Sequence, residues 1–238
     1  MCGRYASARK RHELLEEFEI ELDSEEELEP DYNVAPTKDV YAVMSRVPRV
    51  EGAERPVRQL RVVRWGLVPS WAKDPSIGSR LINARMETLT EKPAFRRAFA
   101  SRRCLLPADG YYEWLPQAEK KKQPFYIHPA DGGVLAMAGL YEFWKDAEEN
   151  WLVTCTVITT SAEDHLGHIH DRMPMMIPQD KWPEWLDPNV SDASTLLVPA
   201  SAGRLTAYPV STDVNNVKNN GSELIAPLEG GEEDNLLF

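Results

Sequence analysis

Long apolar runs, cysteine and positive charge are all scarce in this chain, and each scarcity excludes something. No stretch of the 238 residues is apolar enough to cross a bilayer as a helix, and the first residues lack the apolar core of a signal peptide. An intracellular, cytoplasmic protein with no membrane partner is therefore expected. The three cysteines, Cys2, Cys104 and Cys155, form no C-x-x-C pair, which argues against a disulfide framework or a cysteine-rich zinc site. No phosphate-cradling glycine loop, dinucleotide fingerprint, G-x-S-x-G elbow or internal repeat occurs. The net charge of −11 argues, taken whole, against a polyanionic partner.

The charge is segregated, however. Arg55 to Arg103 carries twelve Lys or Arg against three acids, so this segment is +9 and the remainder −20. Glu13 to Asp31 holds eleven acids and no base. Such a distribution suits either a basic groove on an acidic body or a scatter of solvated arginines.

The first residues, Met1-Cys2-Gly3-Arg4-Tyr5, read either as a loose chain start or as a reactive centre. Loss of the initiator methionine would leave Cys2 with a free α-amine beside its thiol. Those groups titrate near ~8 and ~8.5, so modest help from neighbours supplies either nucleophile. An aldehyde can form an imine with the amine and then be trapped by sulfur as a five-membered thiazolidine.

The pattern predicts a helix from a Ser7 cap to about Glu19, then strands at Val40 to Met44 and Val62 to Val68. Asn83, Arg85 and Glu87 alternate onto one face of an extended segment, ahead of a short helix near Lys92 to Ala100. Short strands follow at Cys104 to Pro107, Gly110 to Leu115 and Phe125 to His128. Two long strands, Val134 to Trp144 and Trp151 to Thr160, form a hairpin. A short helix is expected over Gln179 to Leu186, a second over Ser194 to Val198, and a closing strand over Leu205 to Val210.

Glu113 lies among Tyr111, Tyr112, Trp114 and Leu115; it is either a desolvated acid-base group or an outward residue of an edge strand. Trp65 and Trp71 bracket a turn, as core fillers or as stacking platforms for a single strand. His165, His168 and His170 have metal-like spacing, but no second ligand cluster completes a site. A proton shuttle beside Asp171 and Arg172 is the better reading, and no metal or cofactor is expected. The asparagine-dense segment from Ser211 to Gly221 reads as turns that buttress a site.

Six blocks, taken in order, resemble the SRAP family. They are Cys-Gly-Arg-Tyr at 2 to 5, Tyr-Asn-Val-Ala-Pro at 32 to 36, Trp-Gly-Leu-Val-Pro-Ser-Trp at 65 to 71, Ile-Asn-Ala-Arg-Met-Glu-Thr at 82 to 88, Arg-Cys-Leu-Leu-Pro-Ala-Asp-Gly-Tyr-Tyr-Glu-Trp at 103 to 114, and His-Asp-Arg-Met-Pro at 170 to 174. The resemblance implies one α/β (α+β) domain over residues 2–227, with a barrel-like mixed β core, short peripheral helices and Cys2 in a central cleft. Residues 228–238 would form a disordered acidic tail. It implies a monomer that cross-links covalently to abasic sites in single-stranded DNA through a Cys2 thiazolidine, with lyase activity through the imine. Asn83 would position the Cys2 amine, Glu113 would act as acid or base, and His170 would shuttle protons. Arg4, Arg85 and Arg172 would grip phosphates, and Asn33, Lys38, Trp71 and Trp114 would line the DNA path. Ala72 stands where a second bulky aromatic belongs in the family pattern. Two other functions fit the residues: a cysteine peptidase with Cys2 as nucleophile and His170 as base, self-processing or acting on proteins, and a noncovalent single-strand binder.

Overall fold

A computed structural model describes residues 2–118, 121–162, 165–199 and 203–228. It is a mixed α+β fold whose centre is a closed barrel. The barrel strands are β4 (Asp39–Arg46), β5 (Val57–Trp65), β7 (Arg103–Ala108), β10 (Leu135–Lys145) and β11 (Trp151–Ser161). Antiparallel pairing runs β5 to β4 to β7 to β10 to β11, and a parallel pairing of Thr154 with Arg64 and Cys155 with Trp65 returns β11 to β5. The circuit therefore closes on five strands.

Two buried faces explain why these strands read as nearly continuous apolar runs. Val40, Ala42 and Met44, Cys104 and Leu106, Met137 and Tyr141, and Cys155 and Val157 belong to one cluster. Tyr41, Val43, Leu105, Ala138, Leu140 and Ile158 alternate into another, covered by the helices α1 (Arg11–Glu17), α2 (Arg96–Ser101) and α3 (Trp182–Leu186). Helices cannot enter a five-stranded barrel, so the first cluster is the interior. Phe18 stacks on Trp182 at 4.6 Å, fastening the chain just past α1 to α3 across the outer face.

A second sheet orders β13 (Leu205–Pro209), β9 (Lys122–Pro129), β8 (Gly110–Pro116), β1 (Tyr5–Ser7) and β3 (Asp31–Val34). Tyr5 pairs with Val34 on one side and Tyr111 on the other, so the start of the chain is an interior strand. This corrects the expected helix start: Ser7 is drawn into β1, and α1 begins at Arg11, where the Glu13 carboxylate accepts the Lys10 backbone N–H at 2.7 Å. Sheet pairing has overridden local helix preference. Ser194–Leu196 is a single 3-10 turn, and the expected acidic tail falls, apart from Leu228, outside the described residues. Among the described residues no helix is long and apolar enough to cross a membrane.

The barrel sets β6 (Asn83–Arg85) through a close backbone approach. Gly66 sits at φ +129°, and a Cβ on Gly78 would lie 2.5 Å from the Gly66 carbonyl oxygen. Only glycine at both positions lets the 3-10 turn Pro75–Arg80 press on the end of β5; the Leu67 N–H then donates to the Leu81 carbonyl at 3.1 Å, fixing the entry to β6. Gly78→Ala is expected to cost about 2–4 kcal/mol, seen as an earlier urea midpoint with unchanged slope.

Candidate active site at the amino terminus

Residues 2 to 4 run off β1 toward β6, and Cys2 is fully buried with the barrel-interior cluster. The Asn83 Nδ2 donates to the Cys2 carbonyl at 2.7 Å, while the buried Asn83 Oδ1 has no partner among the described residues. Asn83 is presented by β6, which adds parallel to β11 with Asn83 opposite Val157. Tyr5 packs on Trp65 at 5.2 Å, and the Trp65 Nε1 donates to the Ile82 carbonyl at 2.9 Å, so the strand ends carrying Cys2 and Asn83 share one anchor. Burial raises the Cys2 thiol far above the ordinary range, and the Glu113 charge adds to this. Burial raises Cys104 and Cys155 likewise.

Glu113 lies on β8, opposite Phe125 of β9 and inside the sheet, with 3% of its surface exposed. Desolvation, with a smaller contribution from the Asp171 charge, pushes its carboxyl up to about 7. The outward edge-strand alternative for Glu113 is thereby excluded. The His170 Nδ1 accepts the Arg172 backbone N–H at 2.9 Å, and burial lowers the ring's pKa. Burial thus favours the neutral ring, and with Nδ1 accepting, that ring carries its proton on Nε2. Asp171 Oδ1 is also 2.9 Å from Nδ1, but with that nitrogen accepting, the approach is not an ion pair.

The cations expected along a DNA path are placed unequally. Arg85 is exposed and makes no ion pair among the described residues. Arg4 Nη1 donates to Asn33 Oδ1 and to the Val214 carbonyl, both at 2.7 Å, and its guanidinium lies 5.8 Å from the Trp114 ring. Trp114 Nε1 in turn donates to Asn215 Oδ1 at 2.7 Å. Asn33, expected on the DNA path, has 0% exposure. Its Nδ2 is spent on the Val214, Asn216 and Asn219 carbonyls, so it holds Arg4 and the asparagine-rich loop rather than facing solvent. Lys38 pairs with Asp31 at 2.6 Å. Arg172 forms a fork with Glu87 at 2.6 and 3.0 Å and donates to the Thr159 carbonyl at 2.7 Å. Glu87 does not share the extended face of Asn83 and Arg85, because the strand ends at Arg85 and Met86–Thr88 is a 3-10 turn. Trp71 is 57% exposed, whereas Trp65 is core, so the two tryptophans divide between the two roles. The Ala72 carbonyl accepts from Trp144 Nε1 at 2.7 Å.

The basic segment does not form one groove. Arg55, Arg58 and Arg102 pair with Glu21, Glu19 and Glu142, and the buried Arg103 donates to five backbone carbonyls that hold α2 and α3. Asp31 and the Val214 carbonyl hold Lys38 and Arg4 and carry no motif that singles them out, whereas Glu87 lies in a motif block but its pairing with Arg172 has no local signal. Residues 163–164 and the His165 side chain are not described. Among the described residues no group of His, Cys, Asp and Glu could hold a metal ion.

A small mixed barrel with a buried cysteine at position 2, an amide clamp on its backbone and a buried carboxyl raised to about 7 defines a class of proteins built around their own first residues. The profile of the SOS response associated peptidase (SRAP) family matches residues 1–217, and the chain belongs to that family. The abasic site processing protein YoqW of Bacillus subtilis is 42% identical over 94% of this chain and 99% of its own. The Escherichia coli abasic site processing protein YedK is 34% identical, covering 96% of this chain and 100% of its own. A crystal structure of a protein from Bacteroides thetaiotaomicron matches with TM-score 0.80 at 25% identity, over 95% of this chain and 100% of that one.

Glu113 makes stability pH-dependent. Its carboxyl titrates at about 7 when folded and near ~4.3 when unfolded. Between these values the folded chain holds more protons, so stability falls as pH rises through that window and levels off above it. Glu113→Gln should remove this component and make the variant more stable than the parent above pH ~7, by about 3 kcal/mol. Urea denaturation of both proteins across that pH range measures it.

Proposed function

We propose that this protein processes abasic sites in single-stranded DNA by forming a covalent thiazolidine at Cys2. The observation that carries the reading is the Asn83 clamp, whose Nδ2 fixes the Cys2 carbonyl while the buried Oδ1 remains an unused acceptor. Once the Cys2 nitrogen is a free amine, Oδ1 accepts one of its hydrogens and orients the lone pair toward the aldehyde. Neutral His170 donates from Nε2 to the sugar oxygen as the ring opens. The amine adds to the aldehyde carbon, and Glu113, balanced near neutrality, supplies the proton that lets water leave and the imine form. The thiol then adds to the imine carbon, and its proton passes to the imine nitrogen, closing the ring with loss of one water overall. The same imine is the species from which β-elimination would cleave the strand, so sulfur capture competes with lyase activity.

Burial bears on the alternative chemistry. A cysteine peptidase needs a thiolate held by an adjacent base, whereas here burial keeps the Cys2 thiol protonated. A trap for an imine needs only the neutral thiol and a proton acceptor. Arg85, Trp71 and Trp114 would contact the strand directly; Arg172 would exchange Glu87 for a phosphate, with recognition by backbone and shape rather than by base.

Mature protein mixed with an abasic single strand should gain the mass of one strand less one water, stable to denaturation. Cys2→Ala should give no stable adduct, and Cys2→Ser only one that requires borohydride reduction to persist. Equal stable adduct from Cys2→Ala would sink the proposal. Glu113→Gln is expected to slow cross-linking by about 10²–10⁴-fold, with the parent's rate changing over pH ~6 to ~8 and the variant's flat across that range.

A further inference from the structure

At the other end of the β10–β11 hairpin the barrel opens into a cavity of about 680 Å³ between the ends of β4, β5, β10 and β11. Its lip at Trp151 is six residues along β11 from Val157, the residue level with Asn83, or about 20 Å at ~3.3 Å per residue. Strand alternation places Arg46 with the inward set of β4 and Arg61 with the inward set of β5, beside Met44 and Val63. Inward-pointing arginines over an apolar floor call for an explanation: the buried Arg103 is matched by five backbone carbonyls and Arg172 by Glu87, whereas these two have no carboxylate partner among the described residues.

These two are held without being neutralised. Gln59, only 4% exposed, accepts from Arg61 Nε and Nη2 at 3.2 and 3.0 Å, and its own Nε2 donates to the Arg46 carbonyl at 2.9 Å. The Arg46 guanidinium lies 4.4 Å over the Phe143 ring. Glu26 and Asp39 also border the cavity, and among the described residues neither forms an ion pair with its arginines. Four arginines, Arg46, Arg49, Arg61 and Arg64, face those two acids, a local surplus of positive charge on a chain of net −11. Trp151, 61% exposed, stands edge-on to Phe143 at 6.4 Å, with Lys145 Nζ 5.4 Å from its ring.

We propose that this mouth is a second binding site, taking a nucleotide whose phosphate sits on Arg46 and Arg61 and whose base stacks on Trp151. Guanidinium forks fit phosphate oxygens, an exposed indole accepts any base, and the volume suits one nucleotide with its waters. The ligand is either a free mononucleotide or an unpaired nucleotide of a strand. The proposal is independent of chemistry at Cys2.

Calorimetric titration of the full chain with thymidine 5′-monophosphate, thymidine, inorganic phosphate and a short undamaged oligothymidylate separates the possibilities. The monophosphate or the oligothymidylate should bind, and Arg61→Met and Trp151→Ala should each weaken that binding about tenfold with the thermal midpoint unchanged. Loss for the monophosphate assigns the site to free nucleotides, and loss for the oligothymidylate alone assigns it to a strand. Trp151→Ala alters an exposed side chain, so its result stands if Arg61→Met fails to fold. Binding of both ligands unaffected by either variant, no binding at all, or inorganic phosphate binding as tightly as the monophosphate would overturn the proposal. Cross-linking by the same variants at saturating abasic strand should match the parent, which keeps this outcome separate from the Cys2 reading.

Discussion

The parallel pairing of β5 with β11 is the constraint on which the rest of the structure depends. Along one side β11 bonds first to β10 and then to β12 (Arg172–Pro174); along the other it bonds first to β5 and then to β6. The same strand thus closes the barrel and, where it outruns it, carries Asn83 and Arg85 on one flank and Arg172 on the other. That geometry lets Arg172 and Glu87 meet although they are 85 positions apart. β5 and β6 both run parallel to β11, and residues 66–82, which join them, build part of the surroundings of the site. A fault in the pairing would therefore disturb stability and site geometry together.

Charge is handled in two ways. Arg55 and Arg58 are consumed by the acidic stretch before β3, Arg102 by Glu142 and Arg103 by backbone carbonyls, so linear clustering of charge does not become a continuous groove. Near Cys2 the balance is set by removing water. Burial lifts Glu113, keeps the Cys2 thiol protonated and keeps His170 neutral. Burial thus favours the uncharged form of each of these groups, which lowers the electrostatic cost of enclosing them.

Much of this was legible in the sequence. The long hairpin and the strand around Glu113 follow from alternation, while the aromatic residues beside Glu113 made desolvation one of two readings that only its 3% exposure decides. The core role of Cys155 follows from the same alternation. What was not legible depends on contacts between distant segments. Nothing local distinguishes Trp65, which packs on Tyr5, from Trp71, which does not. Ser7 looks like a helix cap until β3 and β8 arrive on either side of it. Asn33 lies in a motif block and reads as a surface residue, yet its amide is consumed by a loop some 181 positions onward. Closure of the barrel by β5 and β11 has no signature in either strand.

The Asn83 clamp grips the carbonyl of residue 2, an atom that every amino acid has. Positioning and reactivity are thereby divided between backbone and side chain, as a chuck holds a drill without regard to the bit. A synthetic first residue carrying a different nucleophile would be presented in the same place by the same bond. The fold is in that sense a holder with an exchangeable tip, because the bond that places residue 2 does not depend on its side chain.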